Sequence, residues 1–312
     1  MYNPFPYSLD NKRYHTWNWF LQNKFGCKVT KIALNGGFTC PNIDGTKGVG
    51  GCSYCLGGSG EFAGSPTDSI KNQFLAIAEK MEKKWQNTKY IPYFQANTNT
   101  YAPLERLKTL YEEALSMEDV VGLAIATRPD SISDEVLDYL AELNKRTYLL
   151  IELGLQSIFD ETGDRINRCH SYTEFEDCYR RLKERGINVC VHLIMGLPGE
   201  THEMMLESVK KVASLRPECV KLHLLHILKG TKIAEEYQNG EFRCMELEEY
   251  VRVIVDALEH LPKETVIQRL TGDGAKDSLI APLWSLKKFV VLNEIDKEMV
   301  RRNTVQGAKF KD

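Results

Sequence analysis

Three closely spaced cysteines are the first feature of this sequence that could do chemistry. Cys40, Cys52 and Cys55 form a C-x11-C-x2-C pattern in a glycine-rich loop. Thiolates bind zinc or iron–sulfur clusters, and glycine-rich backbone can wrap closely around a bulky inorganic group. Zinc needs a fourth ligand, and no histidine lies between His15 and His170. Three thiolates therefore favour a [4Fe–4S] cluster in which the protein leaves one iron open.

The elements that position this loop are predicted from apolar runs that alternate with amphipathic segments. A first strand is predicted at 29–38, so the cysteine loop follows its carboxyl end. Continuous apolar runs predict further buried strands at 90–96, 120–127, 148–155, 189–195, 220–228 and 265–270. Amphipathic helices are predicted at 65–85, 103–116, 133–143, 173–185, 201–215 and 246–260. In parallel arrangements of such units, ligands bind at the carboxyl ends of the strands.

This order of elements predicts one large α/β unit. Six or seven successive strand–helix units favour a full or partial (β/α) barrel, with a doubly wound open sheet as the alternative. We expect an aromatic and basic N-terminal extension at 1–28 and the barrel at 29–270, with the cluster loop at 40–55. A C-terminal extension at 271–312 is expected to pack on the barrel or to contact RNA.

Composition excludes several classes of protein. The 312 residues carry a net charge of −3, which gives no general signal for nucleic acid, and DNA binding is not expected. Nine cysteines without a signal peptide predict a reduced, cytoplasmic protein and not a secreted disulfide framework. No apolar run is long enough to span a membrane, so no membrane association is expected.

Several further motifs follow the cysteine loop in order, and together they resemble the radical S-adenosylmethionine (radical SAM) superfamily. Tyr54 matches the aromatic residue that the family has before its last cysteine, although the spacing is longer than the commonest C-x3-C-x2-C form. The spacing is close to that of the catalytic subunit of Elongator. The other matching segments are ATRPDSI at 126–132, IELGLQS at 151–157, INRCH at 166–170, HLIMGLPGE at 192–200 and IQR at 267–269. Over its whole length the chain most resembles the YtqA/YhcC-like group of this superfamily. The resemblance implies the α/β fold of that superfamily, a partial (β/α)6-type TIM barrel.

The resemblance implies a set of cofactors and their chemistry. Cys40, Cys52 and Cys55 would hold a [4Fe–4S] cluster, and S-adenosylmethionine would chelate its open iron. An electron from a donor such as flavodoxin or ferredoxin would then cleave S-adenosylmethionine and give a 5′-deoxyadenosyl radical. That radical takes a hydrogen atom from the substrate, while the protein binds, orients and excludes water.

The resemblance also implies cofactor contacts at the strand ends, with Tyr54 beside the cluster. Asn97 and Asn99 stand where many relatives have a Gly-Gly-Glu turn and would take over its contact with the methionyl amine. Glu152 and Gln156 lie four residues apart on one face of the fourth strand and are candidates for the ribose and methionyl groups.

Two further contacts are implied downstream, where Arg168 would pair with the methionyl carboxylate and Gly196 would leave room for the adenine. Two structural alternatives stay open: Glu152 pairing with Arg128 inside the barrel, and His192 as a satisfied core histidine. The residue that completes the reaction after hydrogen abstraction is not identified.

The leading functional hypothesis is a radical enzyme that modifies the wobble uridine of tRNA, converting a carboxymethylaminomethyl side chain toward the aminomethyl form (MnmL-type). N-terminal rings such as Tyr14 and Trp17 could stack on bases, or the rings could plug the core; the basic tail could contact phosphates. The chain leaves no room after the barrel for Elongator's acetyl-coenzyme A domain, which disfavours carboxymethylation. The alternatives are a radical enzyme acting on a small metabolite or a protein, and a non-catalytic metal-binding module.

Overall fold

Seven parallel strands form the framework of the fold and pair in the order of the chain. The computed structural model describes residues 4–8, 10–57, 63–272, 274 and 276–311. The strands are β1 (Val29–Leu34), β2 (Lys89–Phe94), β3 (Gly122–Thr127), β4 (Tyr148–Gln156), β5 (Asn188–Met195), β6 (Cys219–Leu224), β7 (Ile227–Leu228), β8 (Val266–Arg269) and β9 (Leu279–Ala281). The main sheet runs β1-β2-β3-β4-β5-β6-β8, without the reversal of order that a doubly wound sheet has.

The sheet is curled into a half-barrel, which confirms the predicted partial TIM barrel. One buried apolar cluster contains inward-facing side chains from all seven strands, which a flat sheet would not bring together. The outer face packs against helices in a second, larger cluster. Because both faces are buried, the strands are continuous apolar runs, and this is why the sequence predicted them well.

Helices accompany the strands, and those after the first lie on the outside of the barrel. They are α1 (Trp17–Phe25), α2 (Ile70–Glu82), α3 (Leu104–Leu115), α4 (Asp134–Arg146), α5 (Asp160–Arg165), α6 (Tyr172–Glu184), α7 (His202–Ser214), α8 (Lys232–Gln238), α9 (Leu247–His260) and α10 (Lys288–Arg301). Side-chain oxygens of Ser133, Ser171 and Thr201 accept backbone N–H groups at the starts of α4, α6 and α7. No helix of the described chain is long and apolar enough to cross a membrane.

The N-terminal segment closes the barrel from inside. Leu21 of α1 belongs to the inner cluster, and Trp17, Phe20 and Phe25 pack against it. The Ile267 N–H donates to the His15 carbonyl at 2.8 Å, which ties the chain before α1 to β8. Within the described residues β1 and β8 do not pair, so a lateral gap separates these edge strands beside α1.

The sequence left open whether the N-terminal rings pack in the core or stack on RNA bases, and the structure shows that they pack in the core. Tyr14 is only 6% exposed, so the expectation that its ring could stack on RNA bases is wrong. Trp17 is half-buried at the lateral gap. The sequence could not separate these cases, because a ring that stacks on a base and a ring that packs in a core have the same amphipathic chemistry.

The C-terminal segment packs on the barrel. Val291, Ile295 and Met299 of α10 are fully buried in the outer cluster. Four basic side chains of the tail are paired with acids: Lys297 with Glu294, Arg301 with Glu298, Arg302 with Asp256 and Glu298, and Lys309 with Glu259. A contact of this tail with RNA stays a prediction.

One predicted strand is two separate elements. The apolar run 220–228 was expected to be a single strand, but β6 ends at Leu224 and β7 pairs antiparallel with β9 outside the main sheet. The Leu225 N–H donates to the Met195 carbonyl at 3.0 Å, where the chain turns away from the sheet. Both pieces are buried, so hydrophobicity alone does not mark the break.

Candidate cofactor site

The three cysteines line one cavity of about 200 Å³ at the carboxyl ends of the strands. The sequence expectation that Cys40, Cys52 and Cys55 come together is met in this geometry. No disulfide joins any two of the nine cysteines. The remaining walls come mainly from the ends of β2 to β5 and the segments that follow them: Gln95, Asn97, Thr98, Ala126, Thr127, Arg128, Glu152, Gly154, Gln156, Arg168, His170 and His192.

The cysteine loop is folded by its own backbone. The Cys40 carbonyl accepts the N–H groups of Ile43 and Asp44, at 2.8 and 3.1 Å, which turns the chain directly after the first cysteine. Gly50 and Gly51 have φ angles of 78° and 77°, a left-handed conformation that other residues adopt at a cost. This conformation turns the chain back toward the cavity. The three thiols therefore line one cavity although eleven residues separate Cys40 from Cys52.

Asn42 anchors the loop and is a site residue that sequence reasoning missed. Its side chain is completely buried, and its Nδ2 donates to the Asn167 carbonyl and lies 3.6 Å from Cys52 Sγ. Asn167 in turn donates to the carbonyls of Val49 and Gly51, at 3.2 and 2.7 Å. The two amides therefore dock the loop onto the chain after α5. An asparagine inside the cysteine motif was the only available signal for this role.

Replacing Asn42 with alanine is expected to weaken cluster binding without unfolding the protein. Groups that orient metal ligands are typically worth about 10- to 100-fold in metal affinity. Iron and sulfide content after anaerobic reconstitution, followed by challenge with a chelator, measures the loss. The matched control is Asn144→Ala, which removes a surface amide that donates to the Gly186 carbonyl at 3.0 Å. Equal retention of iron in both variants would contradict this role for Asn42.

Electrostatics near the thiols come from Arg128. It pairs with Asp130 through Nε and Nη2, at 2.9 and 2.8 Å, so the alternative pairing of Glu152 with Arg128 is wrong. Burial and the neighbouring Cys55 raise the pKa of the Cys52 thiol to about 11, and Arg128 partly opposes this. Without a metal Cys52 is therefore a protonated thiol, and metal binding must displace its proton.

Of the two asparagines after β2, only Asn97 faces the cavity. It has a φ of 61°, and its Nδ2 donates to the Phe38 carbonyl at 2.8 Å. Asn99 is completely buried behind it and donates to the carbonyls of Asn97 and Ala126. Asn99 is therefore placed to hold the turn, and the expected cofactor contact remains a proposal for Asn97 alone.

Gln156 lines the cavity and has a hydrogen-bond acceptor that is not used. Its Oε1 is buried and has no hydrogen-bond partner among the described residues, and its backbone has a φ of 66°. The register of β4 with β5 shifts between Gly154 and Gln156. Gly154 leaves room for this side chain, because a Cβ there would lie 2.6 Å from Gln156 Nε2. A buried acceptor without a partner is costly, so it favours a bound donor.

Arg168 and Gly196, both expected to contact the cofactor, line different cavities. Arg168 is 1% exposed and makes four hydrogen bonds, to the carbonyls of His170, Leu155 and Ser157 and to the Asp160 carboxylate. Its guanidinium thus fixes the chain after β4, and its pairing with the methionyl carboxylate stays a prediction. Gly196 lies outside the cysteine cavity and lines a separate cavity of about 400 Å³.

Glu152 forms the floor of the cavity and is fully buried. Lys31 and Lys221 both pair with its carboxylate, and His192 Nε2 donates to it at 3.0 Å. Burial by itself would raise the pKa of Glu152. The two lysines outweigh this effect and hold that pKa well below its usual range. Burial and Lys221 lower the pKa of His192 to about 4, so this histidine is neutral and satisfied.

The donor set fits a multi-iron cluster better than a single metal ion. His170 lines the same cavity and could in principle join the thiols as a zinc ligand. In a tetrahedral site with Zn–S bonds of about 2.3 Å, ligand atoms lie about 3.8 Å apart. Among the described residues the one group of three ligand atoms within 4.8 Å of each other is Glu152, Cys190 and His192, which does not include the cysteine trio. The wider spread of the trio suits a cluster.

Comparisons with known protein families identify the chain. The Radical SAM superfamily matches residues 45–212, and the Radical SAM C-terminal domain matches residues 217–301. The chain is similar to YtqA of Bacillus subtilis, at 49% identity over 99% of this chain and 96% of that protein. It is also similar to YhcC of Escherichia coli K12, at 36% identity over 92% of each protein.

More distant similarity extends to longer proteins. A tRNA uridine(34) acetyltransferase of Methanocaldococcus infernus is 30% identical over 54% of this chain and 33% of its own length. Among solved structures, Elp3 of the same archaeon superposes with a TM-score of 0.68 at 22% identity, covering 89% of this chain and 64% of that one. This structural likeness supports the fold.

Proposed function

Because the chain belongs to the radical SAM superfamily, we propose that it is a radical enzyme that modifies the wobble uridine of tRNA. The modification is the conversion of a carboxymethylaminomethyl side chain toward the aminomethyl form. Enzymes of this family use a [4Fe–4S] cluster and S-adenosylmethionine. When bound, these cofactors supply a 5′-deoxyadenosyl radical that takes a hydrogen atom from the substrate.

The observation that carries the choice of tRNA is the sequence similarity to a tRNA uridine(34) acetyltransferase across more than half of this chain. That relative acts on uridine 34 of tRNA, as its name says. The similarity supports the same nucleoside as the substrate here. The chemistry on that nucleoside is a separate step of the proposal, and it requires a site that can accept an acidic side chain.

The residues of the cysteine cavity divide the proposed tasks. Cys40, Cys52 and Cys55 hold the cluster, with Asn42 fixing their loop. Gln156 offers its unused amide oxygen to an N–H or O–H donor of S-adenosylmethionine. Asn97 lines the same cavity from the end of β2, and Tyr54 lines it next to the cysteines. The electron donor, here expected to be a flavodoxin or ferredoxin, and a cytoplasmic location stay predictions.

Nucleosides from the tRNA of cells with and without the gene test the proposed function. We expect cells that lack it to accumulate carboxymethylaminomethyluridine and to lose the aminomethyl form. The wild-type gene should restore the profile, and a Cys40→Ser gene should not. An unchanged wobble-uridine profile would contradict the tRNA assignment. The alternative substrates are then a small metabolite or a protein.

A test with purified protein separates catalysis from metal binding. After anaerobic reconstitution with iron and sulfide, the reduced protein is expected to release 5′-deoxyadenosine from S-adenosylmethionine. A protein that binds zinc, gives no [4Fe–4S] spectrum and releases no 5′-deoxyadenosine would be a non-catalytic metal-binding module.

A further inference from the structure

A second cavity of about 540 Å³, the lateral cavity, lies in the gap between β1 and β8. It shares Gln95, Ala126 and His192 with the cysteine cavity, so the two cavities are continuous. Its other end is formed by Lys28 and Trp85, at the amino ends of β1 and β2. Six residues of β1 at about 3.3 Å each place this end about 20 Å from the carboxyl ends of the strands.

Positive charge is concentrated around this amino end. The last turn of α2 and the segment that leads to β2 carry four lysines: Lys80, Lys83, Lys84 and Lys89. Lys28 adjoins them, because its carbonyl accepts the Lys89 N–H at 2.9 Å. The same segment contains two acids, Glu79 and Glu82. We call the five lysines together with Trp85 the basic rim.

Most of this charge is not neutralised by ion pairs. Glu79 pairs with Lys83 at 2.8 Å, and the other four lysines of the rim have no ion pair with an acid in the described chain. Asp119 lies on the β3 side of β2, away from the gap. Five lysines and two glutamates leave an excess of three positive charges, in a protein whose net charge is −3. Such a local excess attracts a polyanion.

Trp85 adds an aromatic ring to the lysines. Its side chain is 42% exposed, and Lys28 Nζ lies 5.0 Å from its ring centroid. Lys28 is itself held, because its Nζ donates to Asn18 Oδ1 at 2.8 Å. The Thr88 hydroxyl donates to the Trp85 carbonyl at 3.1 Å and fixes the turn that carries the ring. An exposed ring that is positioned beside cations is what single-stranded nucleic acid recognition uses.

The combination of ring and lysines favours an unpaired RNA strand over a duplex. A duplex presents phosphates to lysines but keeps its bases stacked and paired, so it would leave the exposed Trp85 ring unused. An unpaired strand presents phosphates and free base faces together. Because the rim is continuous with the lateral cavity, a strand bound there reaches toward the cofactor site.

We infer that the basic rim binds the RNA substrate, with its lysines on backbone phosphates and Trp85 stacked on an unpaired base. The inference rests on the proposed function and adds the surface that holds the RNA. Since the rim lies about 20 Å from the carboxyl ends of the strands, the base on Trp85 is a neighbour of the reacting nucleoside in the same loop.

Binding of an anticodon stem-loop that carries carboxymethylaminomethyluridine, measured at several salt concentrations, tests the lysines. The reconstituted protein with Lys80→Gln, Lys84→Gln and Lys89→Gln is expected to bind about 10- to 100-fold more weakly. The slope of log affinity against log salt should fall by about 1 for each lysine that contacts a phosphate. The matched control removes three exposed lysines of α7 and α10 and should change neither quantity: Lys210→Gln, Lys211→Gln and Lys297→Gln.

The same assay tests the ring. Trp85→Ala is expected to weaken binding by about 5- to 150-fold, the usual loss when one stacked base loses its ring, with an unchanged salt slope. Trp85→Phe keeps a ring and should keep most of the affinity. Phe289→Ala is the matched control, because Phe289 is 82% exposed on α10 and should not contact the RNA. Release of 5′-deoxyadenosine without RNA reports whether each variant still assembles its cofactor site.

The outcomes separate this inference from the proposed function. If the rim variants bind and convert the stem-loop as the controls do, the inference is overturned and the proposed function stands. Displacement of the stem-loop by polyglutamate as readily as by a single-stranded RNA of equal charge means that the rim recognises negative charge alone, which also overturns it. If the wild-type protein neither binds nor converts the stem-loop, the proposed function fails, and the inference fails with it.

Discussion

Serine in place of any one of Cys40, Cys52 and Cys55 is expected to abolish cluster assembly and the release of 5′-deoxyadenosine. The three thiols share one cavity, and a cluster that already has an open iron cannot lose a further protein ligand and still hold S-adenosylmethionine in place. Loss of an orienting group alone typically costs 10- to 100-fold in metal affinity, so loss of a ligand should cost more than about 100-fold. Visible absorption, iron content and nucleoside release after reconstitution measure the effect.

The matched control for this experiment is Cys244→Ser. Cys244 is half-buried, as the three candidate ligands are, but lies outside the cysteine cavity. It should keep full iron content and activity. Activity in Cys40→Ser, Cys52→Ser or Cys55→Ser comparable to that control would contradict the assignment of the ligands.

Alanine in place of Glu152 is expected to lower the free energy of unfolding by about 3–5 kcal/mol, the usual cost of leaving buried charges unpaired. Glu152 is completely buried and compensates Lys31 and Lys221 at once. Burial already lowers the pKa of Lys221 to about 8 with Glu152 present. Without the carboxylate we expect this pKa to fall further, because the ammonium group would lose its main stabilising partner.

Urea unfolding of the apoprotein measures this loss. The exposed pair of Glu112 with Arg146 provides the control, since Glu112→Ala should cost only about 0–1 kcal/mol. Combining Glu152→Gln with Lys221→Met should recover part of the stability, because it removes one charge of each sign. If Glu152→Ala unfolds at the same urea concentration as Glu112→Ala, Glu152 does not compensate buried charge.

Glu152 connects the two cavities of the protein. Its carboxylate lines the cysteine cavity, while its two lysine partners line the lateral one. In the structure the oxygens of Glu152 are hydrogen-bonded to Lys31, Lys221 and His192, and its expected contact with the cofactor stays a prediction. Glu152 therefore holds both lysines in place between the two cavities.

The sequence by itself determined the framework and the candidate ligands of this protein. Its strands are buried on both faces, so each is an apolar run that shows in the composition of a short window. Cys40, Cys52 and Cys55 are close in the chain, so their spacing alone indicated a shared site. The expected cavity lies at the carboxyl ends of the strands, because parallel β/α units place their connecting loops there.

Tertiary structure alone decided which of the other polar residues face that cavity. Lys31 and Glu152 are 121 residues apart, and Lys221 is 69 residues beyond Glu152, so no local pattern joins them. Asn97 and Asn99 differ by two positions, yet one lines the cavity and the other is buried behind it, because the chain leaves the regular strand there with a positive φ at Asn97. Where backbone geometry is irregular, side-chain direction depends on long-range packing. This is why the fold and the candidate ligands could be predicted from the sequence, and the buried ion pairs of Glu152 could not.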